Sequence, residues 1–200
     1  MKKTRHWLYA AVPLTAAFFS LIFLLGAAWI PLKAELAQWL IERNWQQVLD
    51  GTQQTPPWPW ADTRAVAELS VPGLDVRLIV LEGNSGRNLA FGPVFHDGVA
   101  NGSDLVISGH RDTHFRFMKS LKAGHRIRLR RQNRTQWFEV RDSDIVDSRL
   151  QQIVIEAGVE RLSLVTCYPF DSTTSGGPLR YVVTALPSKH GAKPRSPSSG

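Results

Sequence analysis

Between Trp7 and Ile30 the chain carries no charged residue. At ~1.5 Å of rise per residue such a stretch forms a helix roughly 35 Å long, enough to cross a ~30 Å hydrocarbon core with some tilt. Lys2, Lys3 and Arg5 precede it, whereas Lys33 and Glu35 nearly cancel one another after it. That asymmetry places the N-terminus in the cytoplasm and everything after the stretch outside. The alternative is a cleaved signal peptide, with Gly26-Ala27-Ala28 as its small-residue site. The apolar run is long for that role and the next segment continues as a helix, so an uncleaved single-pass anchor is favoured.

The anchor divides the chain. Residues 1–6 form a basic cytoplasmic segment, 7–30 the span and 31–63 a stalk helix followed by a Pro/Trp linker. In the stalk, Ala37, Ile41, Trp45 and Val48 recur at helical spacing on one face, with Leu36 and Leu40 alongside. Gly51 stops the helix, and "PPWPW" reads as extended chain whose tryptophans suit either the bilayer interface or packing on the domain. From 64 to 187 the texture is short apolar runs punctuated by turn residues. The runs are 67–71, 76–81, 104–108, 126–131, 136–140, 161–166 and 181–185, with one short helix over 115–121 and a long connection over 143–159. Seven or eight short strands with little helix predict an all-β domain, a closed barrel or a sandwich, rather than βαβ units. Residues 188–200 are basic and rich in serine and proline, which predicts a disordered tail.

The net charge of +7 raises the possibility of nucleic-acid binding. It is set aside because no zinc-ligand spacing, stacking aromatics or recognition helix accompanies the basic clusters. A single cysteine, Cys167, stands in 200 residues. An exported domain with one thiol makes no internal disulfide, so the thiol is either buried and inert or present to react.

A thiol becomes a nucleophile when a nearby cation stabilises its thiolate or a base removes its proton. In "RLSLVTCYPF" an apolar strand ends at Thr166-Cys167 and opens into a Tyr-Pro break. In "LVISGHRD" another strand opens at Ser108-Gly109 onto His110. In "GGPLRYVVTAL" Arg180 stands where a glycine-rich loop enters a strand, able to aim its donor fork at an oxygen gaining charge. His96, His114 and His125 are the rival histidines, and Arg111 and Arg161 the rival arginines. His110, Asp112 and His114 carry too few ligands at useful spacing for a metal, and no cofactor motif is present.

"LSLVTC", "SGHRD" and "LRYVV", in that order, resemble the three signature blocks of the sortases, which are membrane-anchored cysteine transpeptidases. "GHRDTHFRFMKSLKAGHRIRL" also resembles the stretch that follows the family's histidine, and a single N-terminal anchor resembles the type found in Gram-negative bacteria. Two positions depart from the family pattern: Ser163 replaces a threonine in the cysteine strand, and Gly124-His125 stands where the family has Gly-Asp. The resemblance implies a closed eight-stranded β-barrel held in the inner membrane, with its catalytic domain periplasmic. It implies that Cys167 attacks a Leu-Pro-x-Thr-Gly-like C-terminal sorting signal of an exported protein, that His110 handles the proton, and that Arg180 binds the carbonyl oxygen with a backbone N–H near Tyr168. Thr166 and Tyr168 would contact substrate, and an amine would accept the acyl group. No cofactor, metal or nucleic acid is implied. The alternatives are an L,D-transpeptidase-like cell-wall enzyme, whose usual Ser-x-Gly-Cys block is missing here, and a non-catalytic membrane-tethered β-barrel.

Overall fold

A computed structural model describes residues 3–52, 55–83, 85–96, 104–150, 160–172 and 176–188, with side chains from residue 13 onward. Residues 189–200 of the predicted tail and 151–159 of the 143–159 connection lie outside them, whereas the Ser188 N–H donates to the Trp137 carbonyl at 2.8 Å. The first element is helix α1 (Lys3–Leu49). From Pro13 onward it is long and apolar enough to cross a membrane, and its most apolar stretch is not buried.

The unit from Leu40 onward is built on eight strands: β1 (Ala65–Val71), β2 (Val76–Glu82), β3 (Val94–Phe95), β4 (Asp104–Ser108), β5 (Arg126–Arg131), β6 (Arg134–Asp147), β7 (Arg161–Cys167) and β8 (Leu179–Pro187). They close into a barrel in the order β1-β2-β3-β4-β7-β8-β6-β5. The all-β expectation holds, and the barrel rather than the sandwich is the form it takes. Closure follows from the side chains. Alternate residues such as Leu105 and Ile107, Leu162 and Leu164, and Ile127 and Leu129 point into one shared core with Phe95, Phe115 and Phe138. The other face of the central strands is apolar too, where Val106 and Val165 pack with Val182. That explains why β4 and β7 read as continuous apolar runs instead of alternating ones.

Strands β4 (Asp104–Ser108) and β5 (Arg126–Arg131) have the bounds expected from sequence. Strand β3 went unread because two residues carry no period. Strand β6 runs on through Asp147, so the first five residues of the 143–159 connection are strand. It outruns the sequence signal because Arg141, Asp142, Ser143 and Asp144 are all exposed and offer no apolar alternation. A register shift between Val140 and Asp142 resets the pairing with β8. The short helix appears as a 3-10 turn, Arg116–Ser120.

Within this unit the last turns of α1 pack on the barrel. Ile41 joins Leu81 and Val94, and Trp45 and Val48 join Ala65. Asn44 is buried; its amide donates to the Thr55 carbonyl at 2.7 Å and its oxygen accepts the Ala65 N–H at 2.9 Å. Of the linker tryptophans, Trp58 packs edge-on against Phe91, whereas Trp60 is exposed. At the turn before β5, His125 Nδ1 accepts the Lys122 N–H at 2.8 Å, a task an aspartate oxygen performs equally well.

Candidate active site

Strands β4 and β7 are parallel neighbours although paired positions lie 57 residues apart in the chain, and their last paired residues are Ser108 and Val165. His110 and Cys167 each follow two residues later, so both emerge at the same level of the barrel. The turn between Ser108 and His110 needs glycine. A Cβ on Gly109 would lie 2.5–2.8 Å from the ring of Phe115, which is wholly buried in the core. The Gly109 N–H donates to the Val165 carbonyl at 3.1 Å, and the Thr166 hydroxyl donates to the Gly109 carbonyl at 2.8 Å. Both backbone groups of Gly109 are therefore tied to β7, and His110 is delivered beside Cys167. The Phe115 N–H closes the turn by donating to the His110 carbonyl at 2.9 Å.

His110, Cys167 and Tyr168 line a common cleft of about 260 Å³, together with Arg111, Asp112, the loop residues Pro169, Ser172 and Gly176 to Pro178, and Leu179 at the start of β8. A cleft of this kind at one end of a rigid barrel is where a histidine and a thiol can act on one substrate bond. Cys167 is half-buried and free. Tyr168 stacks on Tyr181, and Phe170 meets Tyr181 edge-on, which packs the loop after Cys167 onto β8. Tyr168's own N–H is occupied, donating to the Leu179 carbonyl at 3.0 Å.

The other candidates fall in different places. Thr166 is buried and reaches the site through the Gly109 carbonyl. Arg180 is the cross-strand partner of Cys167, and its Nη1 donates to the carbonyls of Gly177 at 2.6 Å and Leu179 at 2.9 Å. Arg161 sits at the opposite end of β7, gripping the buried carboxylate of Asp104 with two hydrogen bonds. Arg111 is buried; its Nε and Nη2 hold both carboxylate oxygens of Asp112. The hydrogen bond from Arg111 holds the Asp112 carboxyl below its usual range, helped by the positive charges of Arg111, His110 and Arg116. Burial lowers His114, and the charge of His110 lowers it further. His114 Nδ1 lies 3.2 Å from the Thr113 hydroxyl, and His96 Nε2 lies 2.6 Å from that of Ser108. Among the described residues no cluster of three or more His, Cys, Asp or Glu side chains is placed to hold a metal ion.

The Sortase domain family matches residues 69–188. The chain therefore belongs to the sortase family, a family of cysteine transpeptidases. Sortase D of Bacillus subtilis is 32% identical over 120 residues, a match covering 58% of this chain and 60% of that protein. Sortase A from Corynebacterium diphtheriae superposes with a TM-score of 0.56 at 24% identity, covering 76% of this chain and 72% of that one. A Clostridium perfringens sortase C, solved with the C-terminal cell wall sorting motif, has a TM-score of 0.55 at 16% identity, covering 79% and 90%. The barrel is the sortase fold.

Proposed function

We propose that the protein is a membrane-tethered sortase that cuts a Leu-Pro-x-Thr-Gly-like C-terminal signal of an exported protein and passes the acyl group to an amine. The observation that carries this reading is the shared level of His110 and Cys167 past the ends of two paired parallel strands, inside one cleft. The Cys167 thiolate attacks the carbonyl carbon between Thr and Gly, forming a C–S bond and placing negative charge on the oxygen. Arg180 offers its Nε and Nη2 donors to that oxygen, its Nη1 being held by the Gly177 and Leu179 carbonyls. Because Tyr168's N–H is committed to Leu179, the task falls more heavily on the arginine. His110, as imidazolium, protonates the departing amine as the C–N bond breaks, leaving a thioester. A primary amine then attacks the thioester, His110 takes its proton, and the thiolate leaves; water in place of the amine gives slow hydrolysis. Thr166 contributes by fixing Gly109, and Tyr168 by forming one wall.

The apolar N-terminal helix supports a single-pass anchor, and Lys2, Lys3 and Arg5 before it favour a barrel on the outer, periplasmic side, as in the Gram-negative type. Membership of the sortase family sets aside the L,D-transpeptidase alternative. A non-catalytic barrel is separated by experiment. A vinyl sulfone or iodoacetamide is expected to label Cys167 and abolish cleavage of a fluorogenic sorting peptide. Full cleavage by Cys167→Ala would refute the mechanism.

A further inference from the structure

Arg111 takes part in none of these steps, yet it follows His110 directly, lines the same cleft and is only 6% exposed. A buried guanidinium has five N–H donors, and burial obliges them to find acceptors. Two grip Asp112, Nε to Oδ1 at 2.8 Å and Nη2 to Oδ2 at 3.1 Å, which holds the fork to the His110 turn. Two others leave that turn. Nη1 donates to the Pro169 carbonyl at 2.6 Å, and Nη2 to the Ser172 carbonyl at 2.9 Å. Both acceptors belong to the loop that begins at Cys167. One planar group thus ties the histidine's turn to the cysteine's loop.

That tie lies where strand pairing stops. The β4–β7 ladder ends at Ser108 and Val165, and Gly109 extends it by one hydrogen bond. His110 and Cys167 stand beyond it, so their spacing depends on side chains. Among the described residues, Thr166 provides one link and Arg111 another. Moving a reacting group by 1 Å costs on the order of 10²-fold in rate.

We propose that Arg111 is a positioning residue of the transfer reaction, fixing the distance between the His110 imidazole and the Cys167 sulfur through its four hydrogen bonds to Asp112, Pro169 and Ser172. The proposal rests on the reading of His110 and Cys167 as the reacting pair. Lysine is a poor substitute, because an ammonium on a flexible stem presents no fixed fork and reaches the carboxylate or the loop, not both.

The test uses the full chain in detergent. For wild type, Arg111→Lys, Arg111→Met, Asp112→Asn and Lys119→Ala, sorting-peptide kcat is measured per thiol titrated with vinyl sulfone, alongside KM. Amide hydrogen exchange is followed over 168–172. Both Arg111 variants are expected to lose about 10²-fold in kcat per titrated thiol with KM little changed, and to exchange faster over 168–172. Asp112→Asn gives a smaller loss of the same kind. Lys119→Ala removes only an exposed ion pair to Asp171 on the same loop, and keeps wild-type turnover. A merely structural arginine would instead lower the number of titratable thiols and leave kcat per thiol intact. Turnover per thiol within about threefold of wild type in Arg111→Met and Arg111→Lys would overturn the proposal. If Arg111→Met does not fold, Arg111→Lys and Asp112→Asn carry the same comparison. If wild type cleaves no sorting peptide, the functional reading fails on its own. Exchange over 168–172 then decides the positioning role, and unchanged exchange in the folded variants would overturn it.

Discussion

Cys167 and Arg180 face each other across the last rung of the β7–β8 ladder, one step beyond the pair Thr166 and Tyr181. The arginine's Nη1 is fixed to the carbonyls of Gly177 and Leu179, so its fork is held by its own loop instead of swinging free. With both Nη1 protons so occupied, Nε and Nη2 are the donors for a developing oxyanion, and a fork held in place stabilises it without reorganisation. Arg180→Lys and Arg180→Ala are therefore both expected to lose about 10²–10³ in kcat, while Cys167 still reacts with small alkylating agents. Near-normal turnover in Arg180→Lys would mean that only its charge matters.

Arg161→Ala separates the arginines. The side chain pairs with Asp104, whose carboxylate is buried at the end of β4 and β7 remote from Cys167. Its loss is expected to lower stability by about 2 kcal/mol while turnover per folded molecule stays close to wild type. A collapse of turnover in folded Arg161→Ala would show the assignment to be wrong.

Gly109→Ala tests the histidine turn. The added methyl meets the buried ring of Phe115, and overpacking of this kind costs about 1–3 kcal/mol. Activity is expected to fall further than stability alone explains, since the turn carries His110. Gly109→Ala combined with Phe115→Leu should recover part of both, and a double-mutant cycle of melting temperatures and rates measures the coupling.

Asn44→Ala tests how far the domain extends into α1. It leaves the buried Ala65 N–H and the Thr55 carbonyl without their partner, at a cost of about 1–3 kcal/mol. A chain beginning at residue 40 is expected to melt cooperatively. One beginning at residue 50, which lacks Ile41, Trp45 and Val48, should melt about 10 °C lower or more. Equal melting temperatures would confine the domain to the barrel.

Stability should also follow His114. Burial and the charge of His110 hold its imidazole below the ordinary value of about 6.5, so the unfolded chain binds the proton first as pH falls. Its contribution is complete above that value and is lost as pH drops through the window down to the lowered one. Melting temperature is expected to rise from about pH 5 to about pH 7, and His114→Gln should flatten part of that slope. An unchanged slope in His114→Gln would place the titrating group elsewhere.

Local pattern alone determined much of this protein. The uncharged span, the helical face through Ile41 and Trp45, the apolar runs at 104–108 and 161–166, and the two strand-to-loop junctions holding His110 and Cys167 are all written in residue order. Each depends only on which side chains avoid water and where glycine and proline interrupt the backbone. What required the tertiary structure was who stands beside whom. Periodicity says that a strand is buried, but not which strand covers its edge. The two-residue β3 and the exposed half of β6 have no period to read. The parallel pairing of β4 with β7 joins segments 57 residues apart, and only closure of the whole barrel fixes it. The same holds for the three arginines. All are cations beside strand ends in the sequence, and packing alone sends Arg161 to Asp104, folds Arg180 onto its own loop and buries Arg111 between the two turns that meet at the cleft.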